Sequence, residues 1–232
     1  MRKVFALLAA VGLSTATFVQ TVQADVVVEL YTSQGCSSCP PADALLGELT
    51  ERDGVIALSL HVDYWDYLGW KDEFANPAFT NRQRGYAAAA GDSTIYTPQM
   101  VIGGKDHIIG TRSMSLVDTL NEHIAKAMPV GLEARYDSGT LSVSANVVDG
   151  MKEGMVVQLV QYSPKETVSI QRGENAGREM TYHNVVKGWS QIAEWDGAAP
   201  LDLKADVTAT EPMVVIVQHA GHGTIVAATK VQ

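Results

Sequence analysis

The chain's only two thiols stand three residues apart, as Cys36-Ser37-Ser38-Cys39. Thiols at this spacing can close a small disulfide ring, and the residues that follow start a helix. Pro40 and Pro41 are tolerated in a first helical turn, and Ala42 to Arg52 (ADALLGELTER) then repeats apolar residues at helical spacing. Partial positive charge at a helix N-terminus favours the thiolate, and in CxxC motifs the first thiol can titrate at about pH 7 or below. Cys36 is therefore the expected nucleophile. Cys39, one turn on and more buried, would resolve the mixed disulfide. The competing reading is a permanent structural disulfide, which is common in exported proteins. An i,i+3 ring closes little chain and so stabilises little, which favours the redox reading.

Other residues could complete such a site. Thr97-Pro98 follows a helix and precedes a short strand, where a cis X-Pro bond would set backbone beside the two sulfurs to receive an extended substrate segment. Tyr64, Trp65, Tyr67 and Trp70 could line a groove for a peptide or apolar ligand, or could pack as core. Tyr64 and Trp65 are the substrate-binding candidates among them. His61 ends a predicted strand, so a Cys36, Cys39 and His61 set for Zn or Cu(I) is conceivable, though no fourth ligand is evident. The commoner role for such a histidine is a structural hydrogen bond. Arg172 and Arg178 flank Gly173-Glu174-Asn175-Ala176-Gly177, a loop read as bracing rather than anion-binding. His219 and His222 read as a surface loop. Phosphate-loop, dinucleotide, nucleophile-elbow and zinc-protease motifs are absent from the sequence.

The elements that must position these residues follow from pattern. Asp25 to Tyr31 (DVVVELY) and Val55 to Val62 (VIALSLHV) read as strands buried on both faces. Asp63 to Phe74 carries aromatics without a clean period and reads as a loop or broken helix. Asn76-Pro77 opens a helix through Ala90, stopped by Gly91. Thr97 to Ile102, a turn at Gly103-Gly104 and Lys105 to Ile109 make a hairpin, and Ser113 or Ser115 caps a last helix to about Ala127. After Pro129, six segments read as short antiparallel strands: Gly131 to Tyr136, Thr140 to Val148, Met155 to Tyr162, Thr167 to Gln171, Met180 to Trp195 and Met213 to Gln218. The predicted organisation is an α/β domain over 25–129 and an all-β, sandwich-like portion over 130–232.

Residues 1–24 differ from the rest: Arg2 and Lys3 precede an apolar run, and Val22-Gln23-Ala24 offers small residues at −3 and −1 of a cut before Asp25. This predicts a removable signal peptide, and hence export to a periplasm or the extracellular space without a stable membrane anchor. Composition excludes much else. With 17 basic against 26 acidic residues and a net charge of −9, the chain lacks the basic surface a nucleic-acid partner needs. At 46% apolar residues and two cysteines it is neither disordered nor a disulfide-dense mini-protein.

The order strand, CxxC, helix, strand, helix, X-Pro hairpin, helix over 25–127 resembles the thioredoxin-like superfamily. More closely, ELYTSQGCSSCPPAD (Glu29 to Asp43), HVDYWDYLGW (His61 to Trp70), YTPQMVIGG (Tyr96 to Gly104) and GENAGREMTYHNVV (Gly173 to Val186) resemble the bacterial domain-of-unknown-function family 1223. The resemblance implies a secreted protein with a thioredoxin-like portion and an added β-rich portion. It implies Cys36 and Cys39 as a redox pair and Pro98 as the cis-proline. It places Glu29 near the position of a buried acid that would take a proton from Cys39, one residue further from the first cysteine than usual. Three functions are carried forward. The first is an exported thiol-disulfide oxidoreductase acting on protein or small-molecule thiols and disulfides, with no cofactor beyond the Cys36–Cys39 disulfide. The second is a non-catalytic ligand- or protein-binding module with a structural disulfide, and the third a copper chaperone.

Overall fold

The computed structural model describes residues 25–126, 128–148 and 154–232, so the leader expected over 1–24 lies outside the described residues. Two sheets form a mixed α/β architecture, and the larger has eight strands. Its first strands come from the N-terminal half: β1 (Val26–Thr32), β2 (Val55–His61), β3 (Gln99–Ile102) and β4 (Asp106–Ile109). Helices α1 (Pro40–Thr50), α2 (Pro77–Ala90) and α3 (Ser113–Ile124) join or follow them. β1 runs parallel to β2 and antiparallel to β3, which pairs with β4.

Strand periodicity divides the core. Val26, Val28 and Leu30 pack with Ala42, Leu46 and Leu49 of α1 and with Leu116 and Leu120 of α3. Val27 and Tyr31 pack on the opposite face with Phe79 and Tyr86 of α2. Because successive side chains of a strand alternate faces, Thr32 belongs with the α1 side and Glu29 with the α2 side. That parity decides the chemistry below.

The second half supplies β5 (Val130–Asp137), β6 (Thr140–Val147), β7 (Met155–Ser169), β8 (Glu179–Trp195), β9 (Leu201–Asp206), β10 (Met213–His219) and β11 (Ile225–Lys230). Strands β5, β6 and β9 make a separate antiparallel sheet, in the order β5-β6-β9. It packs on β7, β10 and β11 through Leu132, Leu141 and Val143 against Val157, Val215 and Ala227. The large sheet has the order β11-β10-β7-β8-β2-β1-β3-β4, so strands from both halves share it. They join where Ser59 of β2 pairs with Val185 of β8. Val160, Val214 and Ile216 extend the α2-side core across this junction.

Local differences from the sequence reading have physical reasons. Met155 to Tyr162 and Thr167 to Gln171 were expected as two strands because Pro164 lies between them, yet β7 is continuous. β10 pairs with β7 only as far as Gln161, so Pro164 sits where β7 has β8 as its single neighbour, and proline is tolerated on such an edge. Strands β9 and β11 were not anticipated. Neither Ser113 nor Ser115 caps α3, whose cap position is Arg112. At α2 the expected start holds, with the Asn76 side chain accepting from the Ala78 N–H at 2.9 Å. The aromatic segment 63–74 holds a single 3-10 turn, Asp66–Leu68, ended by Gly69 at φ 92°.

Candidate functional site

Cys36 and Cys39 are disulfide-bonded, with Cα atoms 5.4 Å apart. Cys39 is the N-cap of α1, and Pro40 and Pro41, which need no N–H donor there, begin the helix. Cys39 is fully buried, Cys36 retains 4% exposure, and Ser37 and Ser38 between them are exposed. Cys36 Sγ also lies 3.4 Å from Ser38 Oγ.

The preceding loop is held from three sides. The Gln34 N–H donates to Asp72 Oδ2 at 2.8 Å, and Trp70 Nε1 donates to Gln34 Oε1 at 2.7 Å. Asn175, from the loop between β7 and β8, donates its Nδ2 to the carbonyls of both Gln34 and Cys36 at 3.0 Å. The β-rich half thus clasps the disulfide loop directly, and this is the bracing expected of 173–177.

Thr97-Pro98 is cis. Pro98 is packed beside α1: a Cβ built on Gly110 would lie 3.0 Å from both Ala42 Cβ and Pro98 Cβ, so a larger residue there would press on both. Trp65 Nε1 donates to Thr97 Oγ1 at 2.7 Å, which ties the aromatic segment to the proline turn. Tyr67, 76% exposed, stacks on Trp65 with ring centroids 6.3 Å apart. The Tyr64 hydroxyl donates to Gln83 Oε1 at 3.2 Å, and partial burial pushes its pKa up to about 12.

Two of the expected placements require correction. Glu29 is not brought to the disulfide. It is fully buried on the α2 face of β1, where Arg82 contacts it with Nε and Nη2 at 2.7 and 2.9 Å. The hydroxyls of Tyr31 and Tyr86 donate to it as well, at 2.9 and 2.6 Å. Strand parity is the reason: a residue at an odd position of β1 cannot reach α1. The weak metal set of Cys36, Cys39 and His61 is not assembled either. The two sulfurs are bonded to each other, while His61 Nδ1 lies 2.7 Å from Asp72 Oδ2, with the ring packed between Phe74 and Tyr182. Among the described residues no group of three or more His, Cys, Asp or Glu is placed to hold a metal ion.

Sequence reasoning missed Asp43. It stands four residues after Cys39, which puts both on one face of α1, and its own N–H donates to the Cys39 carbonyl at 3.1 Å. Thr32, on the α1-facing parity of β1, donates to Asp43 Oδ1 at 2.7 Å. Asp43 Oδ2, His61 Nε2 and the Tyr182 hydroxyl are buried with no hydrogen-bond partner among the described residues. Burial pushes the Asp43 pKa up to about 7, opposed by His61 and the Thr32 bond and reinforced by Asp72. The signal was available as spacing: an acid one turn beyond the second cysteine, in the first turn of a helix.

The fold and site define a mixed α/β protein with a CxxC disulfide at a helix N-terminus, clasped by a β-rich second half. The family model described as a protein of unknown function, DUF1223, matches residues 27–218, and the chain belongs to that family. A crystal structure of a protein from Agrobacterium tumefaciens is similar, at 30% identity and a TM-score of 0.77, covering 88% of this chain and 92% of that one. HBP35 of Porphyromonas gingivalis shares the fold at 14% identity and a TM-score of 0.61, over 90% of this chain and 74% of that one. A search of curated proteins finds no match to this chain.

Proposed function

We propose that the protein is an exported thiol-disulfide oxidoreductase, built on a thioredoxin-like core, that exchanges disulfides with protein or small-molecule thiols through Cys36 and Cys39. The observation that carries this reading is the asymmetry of the pair at the start of α1. Cys36 retains 4% exposure and is followed by exposed Ser37 and Ser38, whereas Cys39 is fully buried. The less buried of two cysteines at a helix N-terminus suits attack, and its fully buried neighbour suits resolution. Trp65, Thr97 and Pro98, with Tyr64 and Tyr67 alongside, would form the rim on which an extended substrate lies.

A binding module with a structural disulfide is the second reading, and the Asn175 clasp with the small exposure of Cys36 favours it. Reduction of insulin disulfides by the full chain separates the two. Under the redox reading, turnover is lost in Cys36→Ser, and Cys39→Ser accumulates a mixed disulfide with substrate. Full activity in both variants, or none in the unmodified chain, leaves the staple reading standing instead.

A further inference from the structure

A buried Cys39 thiol must lose its proton before it can attack, and the strand acid expected to receive that proton is bound to Arg82 on the far face of β1. We propose that Asp43 is the proton acceptor for Cys39, and that it exchanges protons with solvent through the cleft between α1 and β8. This rests on the redox reading above.

Three geometric facts support the assignment. Asp43 shares a helix face with Cys39 one turn away, and its backbone is hydrogen-bonded to the Cys39 carbonyl. Its Oδ1 is held by Thr32 while Oδ2 has no hydrogen-bond partner among the described residues, so one oxygen is fixed and the other is left to take a proton. Asp43 also lines a cleft of about 530 Å³ with Pro40, Glu48, Glu51, Glu179 and His183, which gives a buried carboxyl an outlet. β8 crosses α1 closely beside this cleft: a Cβ on Gly47 would lie 2.7 Å from His183 Nδ1.

The charged and titratable groups facing Asp43 are His61 and Asp72 behind it, Tyr182 on β8, and Glu48, Glu51, Glu179 and His183 in the cleft. Cations are scarce in this set, and a base that is not permanently neutralised by an ion pair can cycle its proton. A pKa of about 7 suits that task at neutral pH.

The Cys36 thiolate attacks a substrate disulfide RS–SR, forming Cys36–S–SR and releasing one RS⁻. Cys39 gives its proton to Asp43 and attacks the Cys36 sulfur, the Cys36–SR bond breaks, and the second RS⁻ leaves. The dithiol is oxidised by two electrons and the substrate disulfide is reduced to two thiols. The Cys39 proton leaves Asp43 through the cleft.

The test uses the reduced full chain and a symmetric nitroaromatic disulfide whose thiolate is coloured. The first equivalent of colour reports attack by Cys36, and the second reports resolution by Cys39. In Asp43→Asn the first phase should stay within about twofold of the unmodified chain and the second should slow about 100-fold, the low end of general-base contributions. In the unmodified chain the second phase should accelerate as pH rises through about 7, an inflection the variant loses. An unchanged second phase in Asp43→Asn overturns the proposal and leaves the redox reading intact, whereas absence of both phases in the unmodified chain removes the redox reading itself. If Asp43→Asn fails to fold, Thr32→Val decides. It keeps the carboxyl but removes the bond that favours its ionised form, so the inflection must move to higher pH, and an inflection that stays in place overturns the proposal.

Discussion

Glu29 and Asp43 are both buried acids that touch neighbouring residues of the same strand, yet their surroundings are opposite in kind. Glu29, on the α2 face, has two contacts from one guanidinium and two tyrosine hydroxyls. The same Arg82 continues to Gln158 and Gln218 and stacks on Trp189 at 3.8 Å, so the network joins both halves of the chain. Asp43, on the α1 face, has one hydroxyl donor and a second oxygen without a partner. A carboxylate matched by a bidentate cation is tied into a structural network. One left short of donors is raised toward neutrality and can change charge in the working pH range. Depth of burial is nearly the same in both, so the partners set the role.

Removal of the cation should do the most damage. Arg82→Met should leave Glu29 as an uncompensated buried charge and destabilise the fold by about 3–5 kcal/mol. Urea denaturation checks this, and the double variant Glu29→Leu/Arg82→Met should recover most of the loss. If Arg82→Met alone costs less than about 1 kcal/mol, Glu29 does not depend on Arg82 for its burial.

Removing the Asp43 charge should act with the opposite sign and only over part of the pH range. The folded carboxyl holds its proton up to about pH 7, while the unfolded chain releases it near 3.8. Between those values the folded state binds more protons, so the Asp43 contribution to stability falls as pH rises through the window. The accumulated penalty above pH 7 is on the order of 4 kcal/mol at most. Asp43→Asn, whose side-chain oxygen can still accept from Thr32, should therefore match the unmodified chain near pH 4 and exceed it at pH 8. Stability measured by denaturant at both pH values tests this, and a difference that does not grow with pH contradicts it.

The sequence carried one side of this comparison better than the other. The CxxC, the two prolines and the apolar spacing of 42–52 placed the disulfide at a helix start because each is a local signal. Asp43 was within reach of the same logic through its i,i+4 relation to Cys39. Glu29 was not, since every residue of β1 is buried and a strand covered on both faces has no polar alternation to mark which side points where. Its partner Arg82 lies 53 residues away on an exposed-looking helical run, and Asn175 is 139 residues from the carbonyl it clasps. Contacts of that separation leave no trace in local pattern. The joining of both halves in one sheet rests on the single pairing of Ser59 with Val185, and that too is invisible to periodicity.

The finest version of the comparison uses adjacent residues. Tyr31 donates to Glu29 and Thr32 donates to Asp43, so two consecutive side chains serve the two faces. Tyr31→Phe removes one of several donors from a carboxylate held by Arg82, and should cost about 1–2 kcal/mol. Thr32→Val removes the only side-chain donor to Asp43 among the described residues. Its cost should be well under 1 kcal/mol at pH 5, where the carboxyl is protonated, and rise to about 1–2 kcal/mol at pH 9, where a bond to a charged acceptor is lost. A Thr32→Val cost that stays flat from pH 5 to pH 9 would mean that Asp43 does not change charge in that range, and the distinction between the two acids would fail.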